Sequence, residues 1–158
     1  AVRAGVAGAC TNSQPPSLWM PPPRPASAAA RPAGGLLKAL QNGHRGLFVR
    51  AQDLFDEMYS SLADRSSRKL IDRLARVDLL VVDEMGYLNL KPEQTNIFFK
   101  LMEERYRRRS TIITTNLEYE EWHNFLGNKA LVDALLSRLR HQCHTVRIDG
   151  PSLRAPQG

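Results

Sequence analysis

Two acidic side chains in succession, Asp83 and Glu84, stand directly behind the aliphatic run Leu79-Leu80-Val81-Val82. Four consecutive aliphatic residues are too few for an ordinary helix, and the β-branched pair Val81-Val82 suits a strand buried on both faces of a parallel sheet. Such a strand has no reason of its own to end on acids, because an ionised carboxylate is costly to bury without a cation or strong donors. In open α/β sheets, ligands sit beyond the carboxyl ends of the strands, where Asp83 and Glu84 fall. A nucleotide site fits that placement, with Asp83 holding Mg²⁺ through its water shell and Glu84 polarising an attacking water, the Walker B arrangement. The alternative is a strand end whose two acids cap the next turn. A third candidate is Asn116, which closes the run Thr111-Ile112-Ile113-Thr114-Thr115. A neutral amide beside a γ-phosphate orients water and senses hydrolysis without adding charge, although Asn in that place also serves as a helix cap or turn residue.

The elements that must position these residues follow from the hydrophobic pattern. Leu36 to Leu40 reads as the last turns of a helix closed by Asn42-Gly43 as a left-handed cap. Gly46 to Arg50 is a short strand. Leu54, Phe55, Met58, Tyr59 and Leu62 predict an amphipathic helix over Gln52 to Ala63. Ser66 can cap a second helix carrying Leu70, Ile71 and Leu74, whose outer face holds Arg65, Arg68, Lys69, Arg73 and Arg76. Pro92 opens a helix with Ile97, Phe98, Leu101 and Met102 on one stripe. Leu131, Leu135 and Leu139 line a further helix, with Arg138 off that line, and His144 to Ile148 form a last strand.

Composition bounds the partners. The 158 residues suit one domain of ordinary size, and the formal charge of +6 makes a polyanion a plausible partner. Arg105, Arg107, Arg108 and Arg109 around Tyr106 are DNA-binding candidates, though cations in a last helical turn also complement the helix dipole. The outer face of the Ser66 helix is read as solvated surface or as a contact for a phosphate backbone. Cys10 and Cys143 lack CxxC spacing, so no disulfide is expected and the default is a reducing cytoplasm. No apolar run approaches the ~20 residues needed to span a bilayer, and no export signal is visible. His141, Cys143 and His144 lack the second cluster of a zinc site, and Ser137 with His141 lacks the glycine elbow of a nucleophile.

Ala1 to Gly35 differs from the rest. It holds seven of the ten prolines and three Arg but no acid, a composition expected to be disordered. The expected organisation is a Pro/Ala-rich segment at 1–35, a partial nucleotide-binding domain at 36–150 and a tail at 151–158.

Taken together, Leu79 to Leu88, Asn96-Ile97-Phe98-Phe99, Arg105-Tyr106, Ser110 to Leu117, Trp122 and Leu135-Leu136-Ser137-Arg138-Leu139 resemble the IstB-like ATP-binding proteins. These are AAA+ ATPases that assist the transposases of bacterial insertion sequences, and they are similar to DnaC-type helicase loaders. The resemblance runs from about Leu36 to Asp149. It implies ATP and Mg²⁺ as cofactors, Asp83 and Glu84 as the Walker B pair, Asn116 as sensor 1, and Arg138 as an arginine finger reaching a neighbouring subunit's γ-phosphate. The implied partners are DNA, a transposase and further copies of the chain, with a helicase loader as the alternative.

One departure qualifies the likeness. A P-loop needs GxxxxGK[ST], because glycine amides wrap the phosphates and the Lys neutralises their charge. This sequence contains no Gly-Lys dipeptide. The family places that loop and its strand just ahead of Leu36, where the Pro/Ala/Arg segment stands instead. The expected fold is therefore an α/β, parallel-sheet P-loop NTPase core of the AAA+ kind without the P-loop strand. Sheet edges left exposed beside the Walker B strand are expected, and a non-enzymatic remnant remains open as a reading.

Overall fold

The computed structural model describes the backbone of residues 4–10, 30–86 and 88–148. Among these residues, strands β1 (Ala4–Cys10), β2 (Gly46–Arg50), β3 (Leu79–Met85), β4 (Ser110–Thr115) and β5 (Cys143–Ile148) form one sheet in the order β2-β3-β4-β1-β5. Helices α1 (Ala30–Gln41), α2 (Ala51–Ala63), α3 (Ser67–Arg76), α4 (Pro92–Arg105), α5 (Trp122–Leu126) and α6 (Lys129–Gln142) connect them, with a 3₁₀ turn at Tyr119–Glu121. None of the described helices is long and apolar enough to cross a membrane.

The aliphatic run behaves as its composition dictates. Leu80, Val81 and Val82 are each fully buried, so both faces of β3 are covered. At about 1.5–3 kcal/mol per buried side chain, this strand is firmly anchored and can tolerate an irregular end. Leu54, Phe55 and Met58 of α2 pack toward it, and the Phe55 ring lies 5.3 Å from Phe98 of α4. Tyr59 and Leu62, expected on the same stripe, are half-exposed at its margin. On α6 the buried line is Val132, Leu135, Leu136 and Leu139, while Leu131 sits outside it. The Asn42-Gly43 cap is present, with Gly43 at φ +79° and the His44 N–H bonded to the Ala39 carbonyl.

Strands β2, β3 and β4 are parallel. The exposed edges expected beside the Walker B strand are absent, because β2 and β4 flank β3 and β1 pairs with the far side of β4. Ala7 lies opposite Thr114 and Cys10 opposite Thr111 on one side, and Ala7 opposite Val146 and Cys10 opposite Cys143 on the other. Both pairings are antiparallel, so β5 runs in the same direction as β4. The expectation of disorder over Ala1–Gly35 is thus corrected at Ala4–Cys10, and also at Ala30–Gly35, which begins α1. The reason lies in the local sequence. All seven prolines of that segment fall at Pro15 or later, which leaves Ala-Gly-Val-Ala-Gly-Ala-Cys free to pair. Unpaired N–H and C=O groups along β4 and β5 favour any segment that can complete the ladder. Residues 11–29, Tyr87 and the tail at 149–158 lie outside the described residues. Cys143 is disulfide-bonded, which corrects the expectation of free thiols and removes the cysteine argument for a reducing compartment.

Candidate functional site

The carboxyl ends of β3 and β4 bring three of the sequence candidates together. The two strands run in register from Leu79 opposite Ser110 to Val82 opposite Ile113, and then the register shifts before Met85 meets Thr115. The shift is carried by Glu84, whose φ of +61° lies in the left-handed region. That conformation costs a non-glycine residue about 1–2 kcal/mol and needs local support. Thr114 supplies it. The Glu84 N–H donates to Thr114 Oγ1 at 3.0 Å, and the same hydroxyl donates to Asp83 Oδ1. One threonine therefore holds the irregular backbone and aims the acid in front of it. Sequence reading passed over Thr114, although its alternation with the buried Ile113 and Thr115 was a usable signal.

Asp83 is only 9% exposed and has no cationic partner among the described residues, whereas the Glu84 side chain stands in solvent. Just beyond, Gly86 has φ +124°, and a Cβ there would lie 2.5 Å from Asn116 Oδ1 and 2.8 Å from Leu117 Cγ. Only glycine lets the turn after β3 close this tightly on the residues after β4. The contact places Asn116 beside the acidic pair. Its Oδ1 is buried without a hydrogen-bond partner among the described residues, an acceptor still in need of a donor.

A divalent cation fits this arrangement. A buried carboxylate that meets one hydroxyl and no positive charge is unfavourable unless a cation joins it. Mg²⁺ needs only one or two carboxylates when phosphate oxygens and water complete its shell, so a single Asp suffices. Among the described residues no group of three or more His, Cys, Asp or Glu side chains is placed to hold a metal by itself.

Arg138 is not part of this cluster. Its guanidinium lies 3.5 Å from Glu103 Oε1 and 5.6 Å from the Tyr106 ring centroid, at the end of α4. That is the amino edge of β4, and the six residues of the strand put roughly 20 Å between it and the acids.

The four arginines read as one DNA-binding cluster divide. Arg105 is 1% exposed and is removed from that role. Its Nη1 donates to the Leu74 carbonyl at 2.7 Å and the Val77 carbonyl at 2.9 Å, its Nε to Thr111 Oγ1 at 2.9 Å, and its Nη2 to the Ser110 carbonyl. The chain needs those bonds because α3, α4, β3 and β4 all terminate or begin there, leaving carbonyls that no helix or ladder satisfies. Burial, then the nearby charge of Arg109, lowers the Arg105 pKa to about 10, so it stays protonated at neutral pH. Arg107, Arg108 and Arg109 face outward, with Arg108 on Glu104 and Arg109 on Asp78.

Residues 34–157 match the sequence profile of the family described as IstB-like ATP binding protein. The insertion sequence IS21 ATP-binding protein of Pseudomonas aeruginosa is 32% identical over 118 residues, which cover 75% of this chain and 44% of that protein. The insertion sequence ATP-binding protein y4pL of Sinorhizobium fredii is 35% identical over 120 residues, 76% of this chain and 49% of that protein. The chain thus spans less than half the length of either relative. Among solved structures, AMPPCP-bound DnaA from Aquifex aeolicus is similar with a TM-score of 0.56 at 18% identity, covering 67% of this chain and 33% of that one. DnaI is similar with a TM-score of 0.53 at 20% identity, covering 63% and 55%. At these identities the likeness is one of fold alone.

Proposed function

This chain belongs to the IstB-like ATP-binding protein family, and from that premise we propose that it carries the hydrolysis half of a nucleotide site in a helper of insertion-sequence transposition. The observation that supports this most directly is the Thr114 hydroxyl shared between Asp83 and the Glu84 backbone, with the unpartnered Asn116 Oδ1 alongside. Asp83, fixed by Thr114, is the residue to hold Mg²⁺ through water. When bound, Mg²⁺ neutralises charge on the β- and γ-phosphates. Glu84, exposed at the bulge, is the residue to polarise the attacking water. Asn116 is the residue to orient that water, since its amide adds no charge beside the two acids. Arg138, an edge away from these residues, is suited to a neighbouring copy's site rather than its own, which makes the working form a homo-oligomer. DNA and the transposase of the same element are the proposed partners, with the outward Arg107, Arg108 and Arg109 as candidate phosphate contacts.

A second reading, a chain that binds nucleotide weakly without turning it over, is favoured by one specific observation. Strand β1 runs antiparallel to β4, so its Cys10 end meets Thr111 at the amino edge, away from Asp83. An antiparallel strand in that place does not end at the carboxyl edge, where a P-loop follows its strand, and the sequence has no Gly-Lys dipeptide to supply the usual lysine. Charge-assisted bonds contribute about 1.5–3 kcal/mol each, so loss of several lowers affinity by orders of magnitude.

Titration with a fluorescent ATP analogue, in Mg²⁺ and in EDTA, tests the site. Weak binding that requires Mg²⁺ and falls at least roughly tenfold in Asp83→Asn is expected, as for loss of one to two strong contacts. Binding indifferent to both would refute the assignment. Phosphate release in the same samples separates a hydrolysing chain from one that only binds.

A further inference from the structure

Arginines mark the amino edge of the parallel strands of this sheet. Arg45 precedes β2, Arg76 precedes β3 and Arg109 precedes β4, so each parallel strand is entered through an arginine. Beside them a cleft of about 400 Å³ is lined by Arg45, Lys69, Asp72, Arg73, Arg76 and Val77. We infer that this amino-edge cleft is a binding site for the phosphodiester backbone of nucleic acid. The inference deepens the proposed DNA partnership and does not depend on the nucleotide site.

Three features of the cleft carry it. Its acids are already engaged: Asp72 pairs with Arg68 at 3.1 Å, and Asp78 is held by the Arg45 N–H and by Arg109 at 2.9 Å, which keeps its carboxyl below the usual range. Arg73 is taken by Glu57 at 2.6 Å. Lys69 and Arg76 are exposed, and neither forms an ion pair or side-chain hydrogen bond with the described residues, so the surface keeps a net positive charge. The helix dipole does not account for the cluster. It favours Arg73 and Arg76 in the last turn of α3, but Lys69 is in the first turn, where a cation is disfavoured, and Arg45 is outside the helix. The chemistry also favours phosphate over carboxylate partners. Three of the four cations are guanidinium groups, whose planar forks match phosphate oxygens, and Arg109 lies beside them through its shared contact with Asp78.

The test is fluorescence anisotropy of the full chain with a labelled mixed-sequence duplex, without nucleotide, over a range of salt. Lys69→Gln with Arg76→Gln is expected to weaken binding at least roughly tenfold and to reduce the slope of log K against log salt by about 2, one unit per phosphate contact. Lys100→Gln with Lys129→Gln removes the same charge elsewhere and is expected to change affinity less than about threefold. Equal losses in the two double variants would overturn the cleft in favour of net charge. An unchanged affinity in Lys69→Gln with Arg76→Gln would overturn the cleft and leave the DNA partnership standing, whereas no duplex binding by the parent chain would overturn both. Displacement by poly-glutamate as effective as by DNA at equal charge would reassign the cleft to an acidic protein.

Discussion

Replacing Arg105 by Met tests whether the buried guanidinium is a structural clamp. The substitution keeps an unbranched side chain of similar reach and removes four donated bonds, to the Leu74, Val77 and Ser110 carbonyls and to Thr111 Oγ1. Each acceptor left without a donor in the interior costs about 1–3 kcal/mol, while relief of the buried charge returns several kcal/mol. A net loss of about 3–5 kcal/mol is expected, a large share of the 5–15 kcal/mol that holds a typical domain. With a urea slope of about 1–3 kcal/mol/M, the unfolding midpoint should drop by roughly 2 M. The buried Trp122 provides the fluorescence signal. A midpoint lowered by less than about 0.5 M would refute the clamp, because the acceptors would then be satisfied without it. Arg105→Lys, which restores a charge but not the fork, should fall between the two. The linkage has a definite sign. The folded pKa of about 10 lies below the ordinary arginine value, so burial of the charge opposes folding at every pH below about 10. That opposition fades as pH rises through 10 toward the ordinary value, and stability from this group rises with it.

Other substitutions probe the candidate site. Thr114→Val removes both bonds that fix Asp83 and Glu84, and should cost about 1–2 kcal/mol in urea unfolding while abolishing Mg²⁺-dependent nucleotide binding; unchanged binding would show that Thr114 does not position the acid. Gly86→Ala meets Asn116 Oδ1 at 2.5 Å in a backbone conformation that disfavours a Cβ, so a loss of about 2–4 kcal/mol is expected, and a neutral result would mean the turn adopts another path. Arg138→Ala breaks a half-exposed pair with Glu103 and a contact with the Tyr106 ring, and should leave stability within about 1 kcal/mol; a larger loss would mark Arg138 as structural. Asp78, depressed below 3.8 chiefly by the Arg45 N–H, stabilises the fold above that pH and ceases to do so as acid protonates it. Asp78→Asn should therefore flatten the acid limb of the stability profile below about pH 4, and an unaltered limb would remove Asp78 from it.

Much of this protein is determined by local pattern. The run Leu79 to Val82 is a strand because four aliphatic residues demand burial on both faces, and the acids behind it must then lie at the carboxyl edge of the sheet. Asn116 follows for the same reason from Thr111 to Thr115, and the helices follow from their apolar stripes. What tertiary structure alone decided depends on contacts between distant segments. Composition cannot reveal that Arg105 turns inward while Arg107 to Arg109 turn outward, since the difference arises where four elements leave carbonyls unpaired around one side chain. Nor does local propensity place Ala4–Cys10 between β4 and β5, because that strand answers to vacant ladder groups more than a hundred residues away. Thr114 gains its role only through the irregular end of β3. Sequence sets which surfaces must be buried and which groups must find partners; the fold decides which partners they find.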